Sequence, residues 1–317
     1  MIVVTGGAGF IGSAIVKGLN QRGEDDILIV DELGEDEKWK NLRKLEYEEY
    51  VDKEVFMDVI MDKGLDDIEA IIHMGACSDT QEKDAEYLME NNYEYTKNLA
   101  LYCVEKKIRF LYASSAATYG DGKFGYKEEN LGPLIPLNMY AYSKHRFDLW
   151  AERYRVADKI TGIKYFNIFG PNEYHKDNMR SMINKGYHQI KETGTIELFK
   201  SDKKEYNDGE QKRDFLYIKD AVDMTLYLFE NDETGIFNIG AGRAYTWNEL
   251  AKALIRAMGQ GEIKYIDMPD DIKDKYQYYT EADIRKIRDA GYSKEITSLK
   301  ESVCDYVKNY LQIQDYL

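Results

Sequence analysis

The chain has 317 residues, of which 44% are hydrophobic and 32% charged, a balance that supports a large buried core and excludes intrinsic disorder. Its 43 basic and 58 acidic residues leave a net charge of -15, which opposes nucleic acid and anionic membrane surfaces. Any anionic substrate must therefore find lysines and arginines of its own.

The chain enters the strand-like Ile2–Val4 at once, with no basic leader ahead of it, and no apolar run is long enough to cross a bilayer. We expect a soluble, cytoplasmic protein. Short apolar runs follow at Ile27–Val30, Ala70–Ile72, Phe110–Ala113 and Ile163–Phe166, separated by amphipathic stretches at Ser13–Asn20, Glu90–Lys106 and Ser143–Arg155. That alternation predicts βαβ units around a buried parallel sheet. After Gly170-Pro171 the rhythm breaks and a polar, charged stretch runs through residues 200–212, so a second lobe is expected from about residue 171. Phe215–Ile218 and Asp220–Glu230 resume the earlier pattern, which predicts that the chain rejoins the first lobe at about 214–240. Residues 171–213 and 241–317 are then expected to form the smaller lobe. Thr246 and Glu249 have capping-box spacing and predict a helix to about Met258.

Thr5-Gly-Gly-Ala-Gly-Phe-Ile-Gly12 follows the first strand and opens a helix, the context in which Gly6, Gly9 and Gly12 read as a dinucleotide fingerprint. One glycine makes the tight turn, one lets backbone approach a pyrophosphate, and one lets helix pack on strand. Asp31 ends the second strand, where a carboxylate bonds the adenosine ribose and favours NAD, while Lys38 and Lys53 can instead reach a 2′-phosphate or remain solvated charges. Gly75-Ala-Cys-Ser78 follows a strand end and suits either close cofactor approach or a plain turn.

Tyr140 and Lys144 are four apart on a predicted helix and share one face, so the ammonium is expected to lower the phenol's pKa. Ser115, just beyond the Phe110–Ala113 run, can hold a reacting oxygen beside Tyr140. Cys77, Cys103 and Cys304 lack metal spacing and read as free apolar fillers, so no metal site is expected.

Together the segments Val3–Ser13, His73–Ser78, Leu111–Gly120, Tyr140–Lys144 and Tyr165–Pro171 resemble those of the extended short-chain dehydrogenase/reductases. Gly75–Ser78, His175-Lys176 and the late Pro269–Gln277, with Tyr276, resemble the ADP-heptose 6-epimerases within them. The resemblance spans nearly the whole chain. It implies a Rossmann-type doubly wound parallel sheet with a smaller, interleaved C-terminal α/β substrate lobe. It also implies a homo-oligomer acting on a small nucleotide sugar, ADP-heptose, for lipopolysaccharide synthesis, with NADP favoured over NAD and no nucleic acid or membrane partner.

Carried over by position, the resemblance makes Tyr140 and Lys176 the two acid/base groups, with Lys144 and Ser115 assisting. The cofactor contacts it implies are Gly6, Gly9, Phe10, Ile11 and Gly12, then Asp31, Glu32, Lys38 and Lys53. Met74, Gly75, Ala76, Cys77, Ser78, Asn91, Lys144 and the backbone of Ile168 complete them. The sugar nucleotide contacts it implies are Ser115, Asn167, Asn178, Lys185, Phe199, Lys200, Ser201, Asp202, Arg213 and Tyr276. His175 reads as a hydrogen-bonding loop residue.

Glu32 stands where asparagine is usual, Asn178 where serine is expected, and Lys185 where histidine is expected; the charged stretch before Arg213 is about four residues longer than usual. Ala116-Ala117 occupy the place where a 4,6-dehydratase carries Asp-Glu, which disfavours elimination. The alternatives are a UDP-hexose 4-epimerase, which needs no Lys176, and a silent nicotinamide sensor, which needs no Tyr/Lys pair.

Overall fold

The structure, a computed structural model, describes residues 1–62, 64–273 and 276–317. Asp274 and Lys275 of the late Pro269–Gln277 motif lie outside that description. Its strands are β1 (Ile2–Thr5), β2 (Ile27–Asp31), β3 (Glu49–Asp52), β4 (Ala70–His73), β5 (Arg109–Ser115) and β6 (Thr161–Tyr165). They continue with β7 (Asn167–Phe169), β8 (Thr195–Phe199), β9 (Lys212–Tyr217), β10 (Gly235–Ile239), β11 (Ala244–Thr246) and β12 (Glu262–Ile266). Seven of these form one parallel sheet in the order β10-β6-β5-β4-β1-β2-β3. A three-stranded sheet, β11-β9-β7, and a two-stranded sheet, β12-β8, lie apart from it.

The apolar runs become buried strands because both faces of the large sheet are covered. Ile2 and Val4 pack into one layer with Leu19, Ile29 and Phe237, while Val3 between them packs into the other with Leu28, Leu99 and Phe110. Period-two alternation explains the split, and each buried Val, Leu or Ile contributes roughly 1.5–3 kcal/mol. The first layer includes the Phe10–Asn20 and Ile218–Glu230 helices, where Gly18 has no room for a Cβ against Val222.

The order of strands reverses at β1: the chain moves outward through β2 and β3 and then returns to the other side of β1, where β4 pairs with it in parallel. That switch opens a crevice at the carboxyl ends of the strands, the usual ligand position in open α/β sheets. The Trp247–Met258 helix begins as expected, with the reciprocal Thr246 and Glu249 capping box formed. Among the described residues, no helix is long and apolar enough to cross a membrane.

Candidate active site

Two strand-end loops meet at the crevice. Gly6 follows β1 with φ +65°, and a Cβ there would lie 2.6 Å from the backbone nitrogen of Gly75, which follows β4. A Cβ on Gly12 would lie 2.0 Å from the Gly6 carbonyl oxygen. The glycines are thus required by backbone approach. Gly9 caps the Phe10–Asn20 helix without a side-chain acceptor, and the first turn has no acidic residue, so its N–H groups suit a pyrophosphate.

Asp31 is more committed than the sequence suggests. Its Oδ2 accepts from the Ala8 N–H at 2.9 Å, and its Oδ1 accepts from the Glu32 N–H at 2.7 Å and from Lys38 Nζ at 3.0 Å. The carboxylate therefore braces the glycine turn. Lys53 pairs with Glu32 at 2.8 Å and donates to Asn91 Oδ1 at 3.2 Å. Two acids and two lysines face one another at the β2 end, so neither Lys38 nor Lys53 is the free solvated charge the sequence allowed.

Met74–Ser78 leave β4 toward the crevice, and Met74 Sδ receives the Tyr165 hydroxyl at 3.6 Å. The Cys77 peptide is held by Asn92, which accepts from its N–H at 2.9 Å and donates to its carbonyl at 3.0 Å. Asn92 also donates to Ser143 Oγ at 3.1 Å, and Ser143 donates to the Tyr140 carbonyl at 2.7 Å. Asn92 therefore joins the loop after β4 to the helix bearing Tyr140. Sequence reasoning named Asn91 and missed Asn92. A π-turn at Met89–Glu94 aims it inward, and the paired asparagines within an amphipathic stretch were the available signal.

β5 ends at Ser115, and the Met139–Arg153 helix, capped by the Asn138 side chain, carries Tyr140, Lys144 and Asp148 on one face. Behind them Asp148 and Lys164, both fully buried, form an ion pair; Asp148 also accepts from Tyr112 at 2.9 Å and from Ser114 at 2.7 Å. The expected effect of Lys144 on Tyr140 needs correction. Lys144 Nζ donates to the Ala113 carbonyl at 2.9 Å, and burial pushes the amine down to about 8. Burial raises the Tyr140 phenol, with Ser115 offsetting part of that rise. Desolvation outweighs the Asp148 charge at Lys144 and the Ser115 hydrogen bond at Tyr140.

Lys176 lies in the turn Tyr174–Met179, its Nζ 5.7 Å from the Phe10 ring centre. Burial lowers its pKa, with the Glu173 carboxylate opposing, and it forms no ion pair among the described residues. Its amine is thus near the start of the Phe10–Asn20 helix that follows the glycine loop. Thr80 and Met179 touch at 3.9 Å, bringing the post-β4 loop against this turn. His175 contacts Asn41 at 3.4 Å, and burial holds it at about 4, so it is neutral near pH 7.

On β9, Arg213 is buried without a carboxylate partner among the described residues, against the salt-bridged alternative. Its guanidinium sits 5.0 Å from the Tyr276 ring centre and 5.9 Å from that of Trp247. Phe199 meets Tyr276 edge-on at 6.2 Å, completing an aromatic wall beside the cation. Asn167 is exposed and donates to the Asp214 carbonyl at 3.0 Å. Ser201 and Asp202 line a polar groove of about 630 Å³, whereas Lys200 is turned to Asp267 at 3.0 Å. Lys185 is half-buried beside Arg180, and Asn178 is exposed on the Lys176 turn. The Ile168 N–H, expected to face a ligand, already donates to the Phe166 carbonyl at 2.9 Å because β7 starts with a tight turn there.

Residues 2–240 match the NAD dependent epimerase/dehydratase family. The chain belongs to that family. It is 50% identical over 329 residues to the ADP-L-glycero-D-manno-heptose-6-epimerase of Fusobacterium nucleatum, covering 99% of each chain. It is also 50% identical over 320 residues to the protein of that name from Nitratidesulfovibrio vulgaris, again with 99% of each covered. Among solved structures of the family's fold, the Helicobacter pylori enzyme of the same name superposes with TM-score 0.82 at 26% identity, covering 97% of this chain and 95% of that one. A UDP-N-acetylglucosamine 4-epimerase from Methanobrevibacter ruminantium gives TM-score 0.84 at 25% identity, covering 99% and 98%. Glycine cradle, unblocked helix N-terminus and buried Lys144 fit a nicotinamide dinucleotide.

Proposed function

We propose that the protein inverts C6 of ADP-D-glycero-D-manno-heptose to give the L-glycero epimer, using tightly held NADP. The observation that carries this reading is the 50% identity, over 99% of both chains, to proteins named for that activity. Two separated proton-exchanging groups support it, because inversion of a carbinol by oxidation and re-reduction needs a proton relay for each orientation of the transient ketone.

The cofactor, when bound, supplies reversible hydride acceptance at the carbon being inverted. Gly6, Gly9, Gly12 and the helix N-terminus behind them would hold its pyrophosphate, Lys38 and Lys53 its adenosine phosphate, and Lys144 its nicotinamide ribose. Ser115 would hold the C6 oxygen beside Tyr140. The lowered Lys176 amine suits a proton acceptor, and the raised Tyr140 phenol a proton donor; in the reverse direction their roles exchange. Arg213, with its planar fork and no acidic partner among the described residues, suits the substrate diphosphate, and the Phe199 and Tyr276 rings would cover the adjoining nucleoside. The cleft lies between a cofactor lobe, residues 1–170 rejoined by 214–240, and a substrate lobe from 171–213 and 241–317.

Lys176→Ala tests the two-base assignment. The variant should keep its cofactor and lose epimerisation by at least ~100-fold, the usual size of a general acid/base contribution. Full activity in that variant would leave a one-base 4-epimerase chemistry as the better reading, and turnover of UDP-galactose would then be the measurement to make.

A further inference from the structure

Among the described residues Lys176 has no ion-pair partner to fix its amine, so its position depends on the turn that carries it. That turn is held from outside the site. Asn172, just before it, is buried at φ +76°; its Nδ2 donates to Ser13 Oγ at 2.9 Å, and its Oδ1 accepts from the Leu317 N–H at 3.0 Å. Two residues before Lys176, the Tyr174 hydroxyl donates to the Asp315 carbonyl at 2.8 Å, and its ring meets that of Tyr316 edge-on at 4.9 Å. The same segment, Asp315–Leu317, also grips the first lobe. Lys44 Nζ reaches Asp315 Oδ1 at 2.5 Å and the Tyr316 carbonyl at 3.0 Å, and the Arg43 guanidinium stands 4.7 Å from the Tyr316 ring centre.

Lys44 and Arg43 directly follow the Glu37–Leu42 turn, which contains Lys38, the partner of Asp31, and Asn41. Asn41 Nδ2 donates to the Ala8 carbonyl in the glycine loop at 2.9 Å and to the Asn172 carbonyl at 3.1 Å. Segment 315–317 therefore closes a circuit from the adenosine end of the cofactor site to the Lys176 turn. Glu173, at the near end of that turn, accepts from the hydroxyl of Ser181 beyond its far end at 2.7 Å. The turn is pinned on both sides while Asp177 within it holds φ +42°, a left-handed value disfavoured outside glycine.

We infer that Tyr174 and the Asp315–Leu317 segment are positioning elements for Lys176, setting its amine at a fixed place relative to the glycine loop. This rests on the reading of Lys176 as the second acid/base group. Misplacement of an acid/base group by about 1 Å can cost up to ~100-fold in rate, so a strap distant from the chemistry can govern it. Because Tyr140 is carried by a different helix and clamped through Ser143 and Asn92, loss of the strap acts on one side of the reaction alone.

The test compares full-length holoenzyme with a Tyr174→Phe variant and with a chain lacking Asp315–Leu317. Each is mixed with either C6 epimer of the ADP-heptose, and reduction of the bound cofactor is followed by its near-ultraviolet absorbance. Both variants should retain cofactor. Deletion should slow reduction by one epimer about 10-fold or more and leave the other unchanged, with Tyr174→Phe showing the same asymmetry at smaller size. The slowed epimer should be the one that Lys176→Ala slows. Equal slowing of both epimers, or no slowing, overturns the proposal, since general loosening of the fold has no preferred epimer. If Lys176→Ala itself affects both epimers equally, the two-base reading falls and the strap inference falls with it.

Discussion

Asn92 holds the Cys77 peptide at both ends, accepting from its N–H at 2.9 Å and donating to its carbonyl at 3.0 Å. This one side chain, fully buried in a π-turn, substitutes for the sheet partner that the loop after β4 has lost. Asn92→Ala strands two backbone groups, each costing about 1–3 kcal/mol when buried and unpaired. The expected outcome is a lower midpoint of thermal unfolding together with reduced cofactor content. Differential scanning calorimetry and quantitation of released nicotinamide would check it, and normal cofactor content would show that the clamp does not serve the site.

His73 gives a pH prediction. Thr96 donates to the Asn92 carbonyl at 2.8 Å, so its hydroxyl accepts from His73 Nε2, 2.8 Å away, leaving Nδ1 as acceptor for Thr5 at 2.5 Å. The ring is buried in its neutral form, and desolvation, with Lys144 adding repulsion, lowers its pKa to about 3. A folded-state value below the ordinary 6.5 means that the unfolded chain binds more protons between those limits. The resulting stability is fully present above about pH 6.5 and is lost as pH falls toward 3. Urea unfolding at several pH values should show a shallower acid slope for His73→Gln than for the parent chain; identical slopes would count against it.

The Asp148–Lys164 pair is completely buried, and Lys164 also donates to Thr118 Oγ1 at 2.7 Å. Removing one charge leaves the other unpaired, at a cost of roughly 3–5 kcal/mol. Asp148→Asn should therefore be much less stable than a double replacement, Asp148→Leu with Lys164→Met, in which no bare charge remains. Denaturant midpoints of the three chains decide the point. A double variant less stable than Asp148→Asn contradicts it.

At the adenosine end, Glu32 occupies Lys53 at 2.8 Å while Lys38 is occupied by Asp31. Glu32→Asn frees Lys53 for a 2′-phosphate and removes a repelling carboxylate. An exposed pair of this kind is worth up to ~1 kcal/mol, so the NADP-over-NAD preference should rise about fivefold. Titration of stripped protein with each cofactor measures it, and an unchanged ratio would remove Glu32 from cofactor selection.

Much of the sheet was legible because buried parallel strands are short apolar runs whose composition needs no tertiary context. β3 was not: Glu49–Asp52 is an edge strand with acids at both ends and no apolar run. The helix carrying Tyr140 starts at Met139, four residues before the amphipathic stretch read from Ser143, with the Asn138 side chain as its cap. At the site, spacing identified the glycines and the Tyr140/Lys144 face. It could not reveal that burial dominates both pKa values, that Asp31 braces Ala8, or that Asn92 is turned inward by a π-turn. Those depend on solvent exclusion and on contacts between distant segments.

The central claim is tested most directly by mixing the purified holoenzyme, without added cofactor, with ADP-D-glycero-D-manno-heptose and following the C6 configuration by proton NMR. Conversion to a mixture of the two C6 epimers, with no net release of reduced nicotinamide, is the predicted result. An unchanged sugar, or stoichiometric formation of reduced cofactor with an oxidised product, would contradict it.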